Sequence, residues 1–421
     1  MLSPILFEHG NPKVRCSHVE VMPAMKHSQE DNTKPMLAYY VSGHGFGHAT
    51  RVIPIVAELI KRNEFGTIII ITSAPPFLFD TLVSTGHAVL RRVNIDVGVI
   101  QTDAVSVDRQ KTVRALNEFI SNGSYDELIL NEVQWLQTMQ IGMVLMDAPF
   151  LPAVAAKQCN IPSTMITNFC FDNIYSSLCT SPTTLESHLL KTIYAAYEQT
   201  TYLIKLPGET PLPSFANHVP HTIHRVPLVV RRNAKSSTQV RKELGIPLRS
   251  KVILICFGGH QLLEGADGWS FDEIFPDDSW YGLVVGLDMK DLHGERSQRL
   301  KALSQTAYLP DYINCSDVIL GKIGYGICSE VVAHQKPLIY IKRSGWAEEE
   351  GLLNNLMVPY GSGAFEMSYT DFTNGKWTDC IEKAICHRNC KSPRQEITLD
   401  GAEKVVDLVG YLMAEHCSIE L

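Results

Sequence analysis

"YYVSGHGFGHATRVIPIVAELI", residues 39–60, sets three glycines and two histidines between an apolar run and a stretch with helical spacing. The preceding run "MLAYYVS" (residues 36–42) reads as a buried strand. Beyond the glycines, Val52, Ile55, Val56, Leu59 and Ile60 recur at the spacing of one helical face. Pro54 is expected in the first turn of that helix, where a missing N–H is tolerated. A strand, glycine loop and helix in this order present unpaired N–H groups and a partial positive charge at the carboxyl edge of a sheet. That edge suits an anion or a polar ligand. Gly43, Gly45 and Gly47 are spaced G-x-G-x-G and no Lys-Ser/Thr follows. The loop is therefore neither a dinucleotide fingerprint nor a Walker loop.

The histidines point to proton transfer instead. An imidazole near its ordinary pKa of about 6.5 accepts a proton from an alcohol at neutral pH. His48 is the candidate base, and it needs a partner to orient it. Asp147 ends the strand-like run "IGMVLMDAPF" and can face the same crevice. On spacing alone the alternative stands equally: His48 and Asp147 each cap a helix.

The rest of the chain alternates strand and helix. "GTIIIITS", "IGMVLMDAPF" and "IPSTMITNF" read as strands and "LPAVAAKQCN" as a helix. Residues 219–237 break the pattern and read as a linker. The alternation then restarts with "QVRKELGI" and with "KVILICFGGH", a strand running into a second glycine turn. "YGLVVGLD", "DVILGKIG", "GICSEVVAHQK" and "PLIYIKR" continue as strand, strand, helix and strand. The expected fold class is α/β, with two Rossmann-like doubly wound parallel sheets. The expected division is a disordered tail over 1–35, domains over 36–225 and 226–400, and a terminal helix over 401–421. A chain of 421 residues is too long for one core.

Bulk properties exclude some classes. A formal net charge of -8 argues against a nucleic-acid partner. No apolar run reaches the roughly 18 residues of a membrane span. Glu8, His9 and Pro12 interrupt the only apolar start, so no signal peptide is expected and the location expected is cytoplasmic. Eleven cysteines, scattered through apolar contexts, fit free thiols in a reducing compartment. Cys380, Cys386, His387 and Cys390 lack paired C-x-x-C spacing, so no metal site is expected there.

The second half holds its own constellation in residues 317–341. Gly321, Gly324 and Gly326 allow backbone N–H groups to approach phosphates, and Lys322 adds a charge. Ser329 and Glu330 fall in the early turns of the next helix. An ionised Glu330 accepts hydrogen bonds from two ribose hydroxyls; answering the helix dipole is the plainer role. Glu348, Glu349 and Glu350 follow the next strand, as a sugar-hydroxyl site or as a solvated acidic turn.

With these residues in view, the chain resembles the GT-B glycosyltransferases, and among them the glycosyltransferase-like N-terminal half of plant arabinokinases. The resemblance rests on "YYVSGHGFGHATRV", "VDR", "ITNFCFDNIY", "LPG", "VPLVVRR", "VRKELGI", "FGG", "LGKIGYG" with "SE", and "EE" with "N". The sugar-kinase loop P-x-x-x-G-[LI]-[SG]-S-S does not occur, so kinase activity is not expected. More distantly the chain is similar to the bacterial cell-wall N-acetylglucosaminyltransferase and to UDP-glycosyltransferases.

The resemblance implies a metal-independent transfer of a hexosyl-type sugar from a nucleotide sugar, UDP-linked, to an acceptor hydroxyl. No cofactor is implied beyond that co-substrate. It makes His48 the base and Asp147 its orienting partner. It makes Gly258, Gly259, His260, Lys322, Gly324, Tyr325, Ser329, Glu330, Glu349 and Glu350 donor contacts. Gly43, His44, Gly45 and Gly47 line the cleft. The plant signature's tryptophan and asparagine become Tyr325 and Gly326 here, and its acidic-amide pair lacks the glutamine. Two other classes remain: a non-catalytic nucleotide-sugar-binding module, and a nucleotide-sugar epimerase or hydrolase on the same scaffold.

Overall fold

The computed structural model describes residues 34–103, 105–179, 181–258, 274–286, 299–389 and 395–419. Its strands form two sheets, one of seven and one of six, and every pairing within them is parallel. The first sheet holds β1 (Met36–Val41), β2 (Ile68–Thr72), β3 (Ala88–Arg92), β4 (Ile141–Asp147), β5 (Ser163–Thr167), β6 (Tyr202–Lys205) and β7 (Ile223–Arg225). The second holds β8 (Lys251–Cys256), β9 (Trp280–Val285), β10 (Leu300–Leu303), β11 (Val318–Gly321), β12 (Leu338–Ile341) and β13 (Ala364–Met367). Strand order is 3-2-1-4-5-6-7 in the first and 10-9-8-11-12-13 in the second.

That order explains where a site can form. From β1 the chain winds outward through β2 and β3, then returns to lay β4 on the other side of β1. The loops after β1 and β4 therefore diverge and leave a crevice at the carboxyl ends of the strands. The same reversal occurs between β8 and β11. Val41 is in register with Asp147, and Cys256 with Gly321. Residues far apart in sequence are thus brought to two switch points.

Two expectations need correction. The first helix runs Phe46–Arg62, so Pro54 lies in its interior and not in its first turn. The helix starts early because Gly45, at φ 88°, turns the chain directly into it, and Gly47 and His48 become helical. The stretch read as a linker contains β7, a three-residue edge strand paired with β6. So short a strand between prolines carries almost no periodic signal. Strands β3, β6, β10 and β13 were also outside the sequence reading.

One cluster of buried apolar side chains runs through both halves, from Leu37 and Val56 to Leu254, Val331 and Val405. The terminal helix Gly401–Ile419 carries it back to the first half. There it packs on the helix Phe46–Arg62, and Arg62 pairs with Asp407 and donates to the Glu403 carbonyl (3.1 Å). Among the described residues no helix is long and apolar enough to cross a membrane. No group of three or more His, Cys, Asp or Glu among them is placed to hold a metal.

Candidate active site

His48 and Asp147 meet at the first switch point. His48 occupies the first turn of the helix after β1, and Asp147 ends β4. Nδ1 of His48 lies 3.1 Å from Asp147 Oδ1. The ring rests near Phe169 and Phe171, with centroids 5.2 and 6.5 Å away. Asp147 is fully buried. The next residue, Ala148, takes φ 75°, a conformation uncommon without glycine. Its carbonyl accepts from the Tyr197 hydroxyl, which fixes the turn that aims Asp147.

Sequence reasoning missed Arg51. Its Nε donates to Asp147 Oδ2 (2.6 Å) and its Nη2 donates to Oδ1. Nη2 also lies 3.0 Å from Thr167 Oγ1 and 2.9 Å from His48 Nδ1, and Nη1 donates to Asn168 Oδ1. Burial alone would raise the Asp147 pKa, but the guanidinium and then His48 outweigh it and hold the carboxyl below its ordinary range. Arg51 stands three residues after His48, a spacing that puts both on one helical face, but that spacing does not name Asp147 as its partner.

Arg51 also reaches the second half. Its guanidinium lies 5.0 Å from the ring centre of Tyr325. Asn168 Nδ2 donates to Glu348 Oε1 (3.2 Å), and Trp346 Nε1 donates to Glu348 Oε2 (3.0 Å). Tyr325 is buried, with its hydroxyl donating to the Val229 carbonyl (3.1 Å).

At the second switch point, Lys322 follows β11 and Gly258 follows β8. A Cβ on Gly258, which sits at φ 73°, would lie 3.8 Å from Lys322 Cε. Burial, then the nearby Arg343, pull the Lys322 pKa down to about 7. Glu330 is buried and pairs with Arg231, at 2.8 Å from Nε and 2.6 Å from Nη2, both to Oε1. Its Oε2 is buried and has no hydrogen-bond partner among the described residues. Burial raises the Glu330 pKa and the Arg231 pair offsets this only in part. A cavity of about 310 Å³ opens beside this pair, with Arg231, Arg232 and Tyr308 in its wall.

The other sequence candidates divide. Glu349 accepts from the Arg343 backbone N–H (3.2 Å) and lies 3.4 Å from its Nε, so an internal cation already engages it. Glu350 is exposed, and Glu348 takes the buried place facing the first half. Ser329 Oγ donates to the Gly326 carbonyl within its own helix (3.0 Å). Gly324 precedes that helix as its N-cap. Gly259 and His260 lie outside the described residues, as does Cys390. In the first loop Gly43 backs onto Ser73, while His44 pairs with Asp96 (3.0 Å) and not with Asp147.

Three solved structures share this fold along most of the chain. Arabidopsis thaliana UGT89C1 complexed with UDP-L-rhamnose matches with TM-score 0.59 and 14% identity, covering 91% of this chain and 99% of that one. CalG4, the calicheamicin glycosyltransferase, matches with TM-score 0.58 and 14% identity over 84% of this chain and 91% of that one. The chain has the GT-B fold. UDP-GlcNAc 2-epimerase from Neisseria meningitidis is also similar, with TM-score 0.52 and 16% identity over 89% and 99% of the two chains. Among curated proteins, L-arabinokinase of Arabidopsis thaliana is 34% identical over 357 residues. That match takes in 84% of this GT-B chain but 32% of the relative. No protein-family model matches the chain.

Proposed function

We propose that this GT-B chain is a glycosyltransferase that moves a hexosyl-type sugar from a nucleotide sugar, UDP-linked, to an acceptor hydroxyl. The observation that carries the reading is the pairing of His48 with Asp147 at one switch point, while Lys322 and Glu330 occupy the other. Glu330 Oε2, buried and without a partner among the described residues, is an acceptor in want of donors, which the ribose hydroxyls supply. Lys322 meets the diphosphate, and its charge is favoured once that anion is bound. The Gly258 and Gly324 amides add fixed dipoles at the leaving group, where preorganised electrostatics give the larger share of rate. His48 takes the acceptor proton as the hydroxyl oxygen bonds to the anomeric carbon and the sugar–phosphate bond breaks. UDP-L-rhamnose and UDP-GlcNAc are the ligands of two of the structural neighbours named above, the plant glycosyltransferase and the epimerase, which supports the choice of donor.

A second reading has its own observation. Arg51 already matches the Asp147 charge, which suits a nucleotide-sugar-binding module without turnover. Incubating purified chain with UDP-glucose, UDP-L-rhamnose and UDP-GlcNAc separates the classes. Mass spectrometry of UDP and sugar products across an acceptor panel reports transfer, while free or epimerised sugar without acceptor reports hydrolysis or epimerisation. Calorimetric binding with no product of any kind sinks the transferase reading.

A further inference from the structure

The glycine loop carries a second histidine–aspartate pair, which the reaction above does not use. His44 Nε2 lies 3.3 Å from the Asp96 backbone oxygen and 3.0 Å from its Oδ1. Both neighbours are acceptors, so Nε2 carries a proton. The Asp96 side chain is 1% exposed and that of His44 is 36% exposed. Neither carboxylate oxygen of Asp96 has a well-aligned hydrogen bond among the described residues, and His44 Nε2 approaches Oδ1 to 3.0 Å. Asp147 is given to Arg51; Asp96 is left to His44.

The ring has a built seat. Gly98 takes φ 60°, and a Cβ there would fall 2.0 Å from His44 Cγ and 2.3 Å from Cδ2. Only glycine fits beneath it. The Gly98 carbonyl accepts from Tyr175 (2.9 Å), which fastens this loop to the helix Phe171–Leu178. With Cγ and Cδ2 against Gly98 and Nε2 against Asp96, Nδ1 and Cε1 form the remaining edge of a side chain that is 36% exposed. Among the described residues, the titratable groups that act on the pair are Asp96 on the ring and Tyr175 on Asp96. Burial lowers the His44 pKa, yet Asp96 outweighs burial and raises it above the ordinary 6.5.

We propose that His44 positions the acceptor, its Nδ1–H donating to an anionic oxygen, carboxylate or phosphate, on the molecule that receives the sugar. Asp96 is the positioning residue that orients the ring and favours its charged form. The word acceptor rests on the transferase reading; the anion contact does not. His48 lies four residues further on in the same loop-to-helix segment, in the first turn of the helix, so on this proposal the molecule held at His44 is the one whose hydroxyl the base serves. A charge-assisted hydrogen bond is about twice as strong as a neutral one. The expected preference for an anionic over a neutral sugar is on the order of tenfold.

The test uses the full chain labelled with [13Cε1]histidine, with the His44 signal assigned by its loss in His44→Gln. Glucuronate, glucose 1-phosphate and neutral glucose are titrated below and above the His44 midpoint. The midpoint should exceed that of free histidine and fall in Asp96→Asn. Below it, the anionic sugars should move the His44 signal at about tenfold lower concentration than glucose; above it, that preference should vanish. A response to glucuronate alone names a carboxylate as the source, and to glucose 1-phosphate alone a phosphate. No response to either anion, or an equal response to glucose, overturns the proposal. The wild-type titration decides this even if Gly98→Ala or Asp96→Asn fails to fold. It reads binding without turnover, so failure of the transferase reading shows separately, as absent UDP release.

Discussion

Arg51 and Asp147 form a bidentate ion pair inside the first half, with both side chains almost completely buried. The pair is the hub of the site. It holds the carboxylate beside His48 and, through Asn168 and Glu348, reaches the second half. Removing one partner leaves the other charge buried and uncompensated. Arg51→Met should therefore cost about 3–5 kcal/mol, read as a lower urea midpoint at pH 7. A loss under about 1 kcal/mol would show that the carboxylate finds another partner or loses its charge.

The same pair sets a pH dependence. The folded Asp147 pKa lies below its unfolded value of about 3.9. Its stabilisation is fully present above that unfolded value and is lost as pH falls through the folded pKa. Wild type should thus lose stability below about pH 4 more steeply than Asp147→Asn. Parallel urea profiles for the two proteins would contradict the pairing.

Lys322 gives a prediction for nucleotide binding. With its pKa pulled down to about 7, much of it is neutral just above that pH in the free protein. A bound diphosphate favours the charged form, so binding at pH 8 should take up a proton. Calorimetry of UDP in two buffers of different ionisation enthalpy measures this directly. Equal apparent enthalpies at pH 8, or an unchanged signal in Lys322→Met, would remove Lys322 from the diphosphate.

Glu330→Gln separates ribose binding from ion pairing. The amide keeps the size of the side chain but presents one acceptor oxygen and no charge. UDP affinity should fall by about 1.5–3 kcal/mol if Oε2 receives a ribose hydroxyl. Unchanged affinity would leave Glu330 as the structural partner of Arg231.

Much of this was legible in the chain. The glycine loop at residues 43–47, the strand ending at Asp147 and the Lys322–Glu330 segment announced two α/β switch points, because buried parallel strands are long apolar runs. The GT-B resemblance carried the fold further than periodicity could. What stayed hidden depends on tertiary contact. Arg51 looks like an ordinary helix charge until β4 and β5 bring Asp147 and Thr167 beneath it. Asp96 lies in an aperiodic loop, so nothing local ties it to His44. Edge strands as short as β7 and β13 pair through backbone groups and need little sequence pattern of their own.

The central claim is that His48 takes the acceptor proton. The most direct measurement compares wild type and His48→Gln with one productive UDP-sugar and acceptor, following UDP release and sugar transfer while calorimetry follows UDP binding. Transfer should fall by about 10²–10⁴ while UDP affinity is unchanged. Transfer that persists at the wild-type rate in His48→Gln would contradict it.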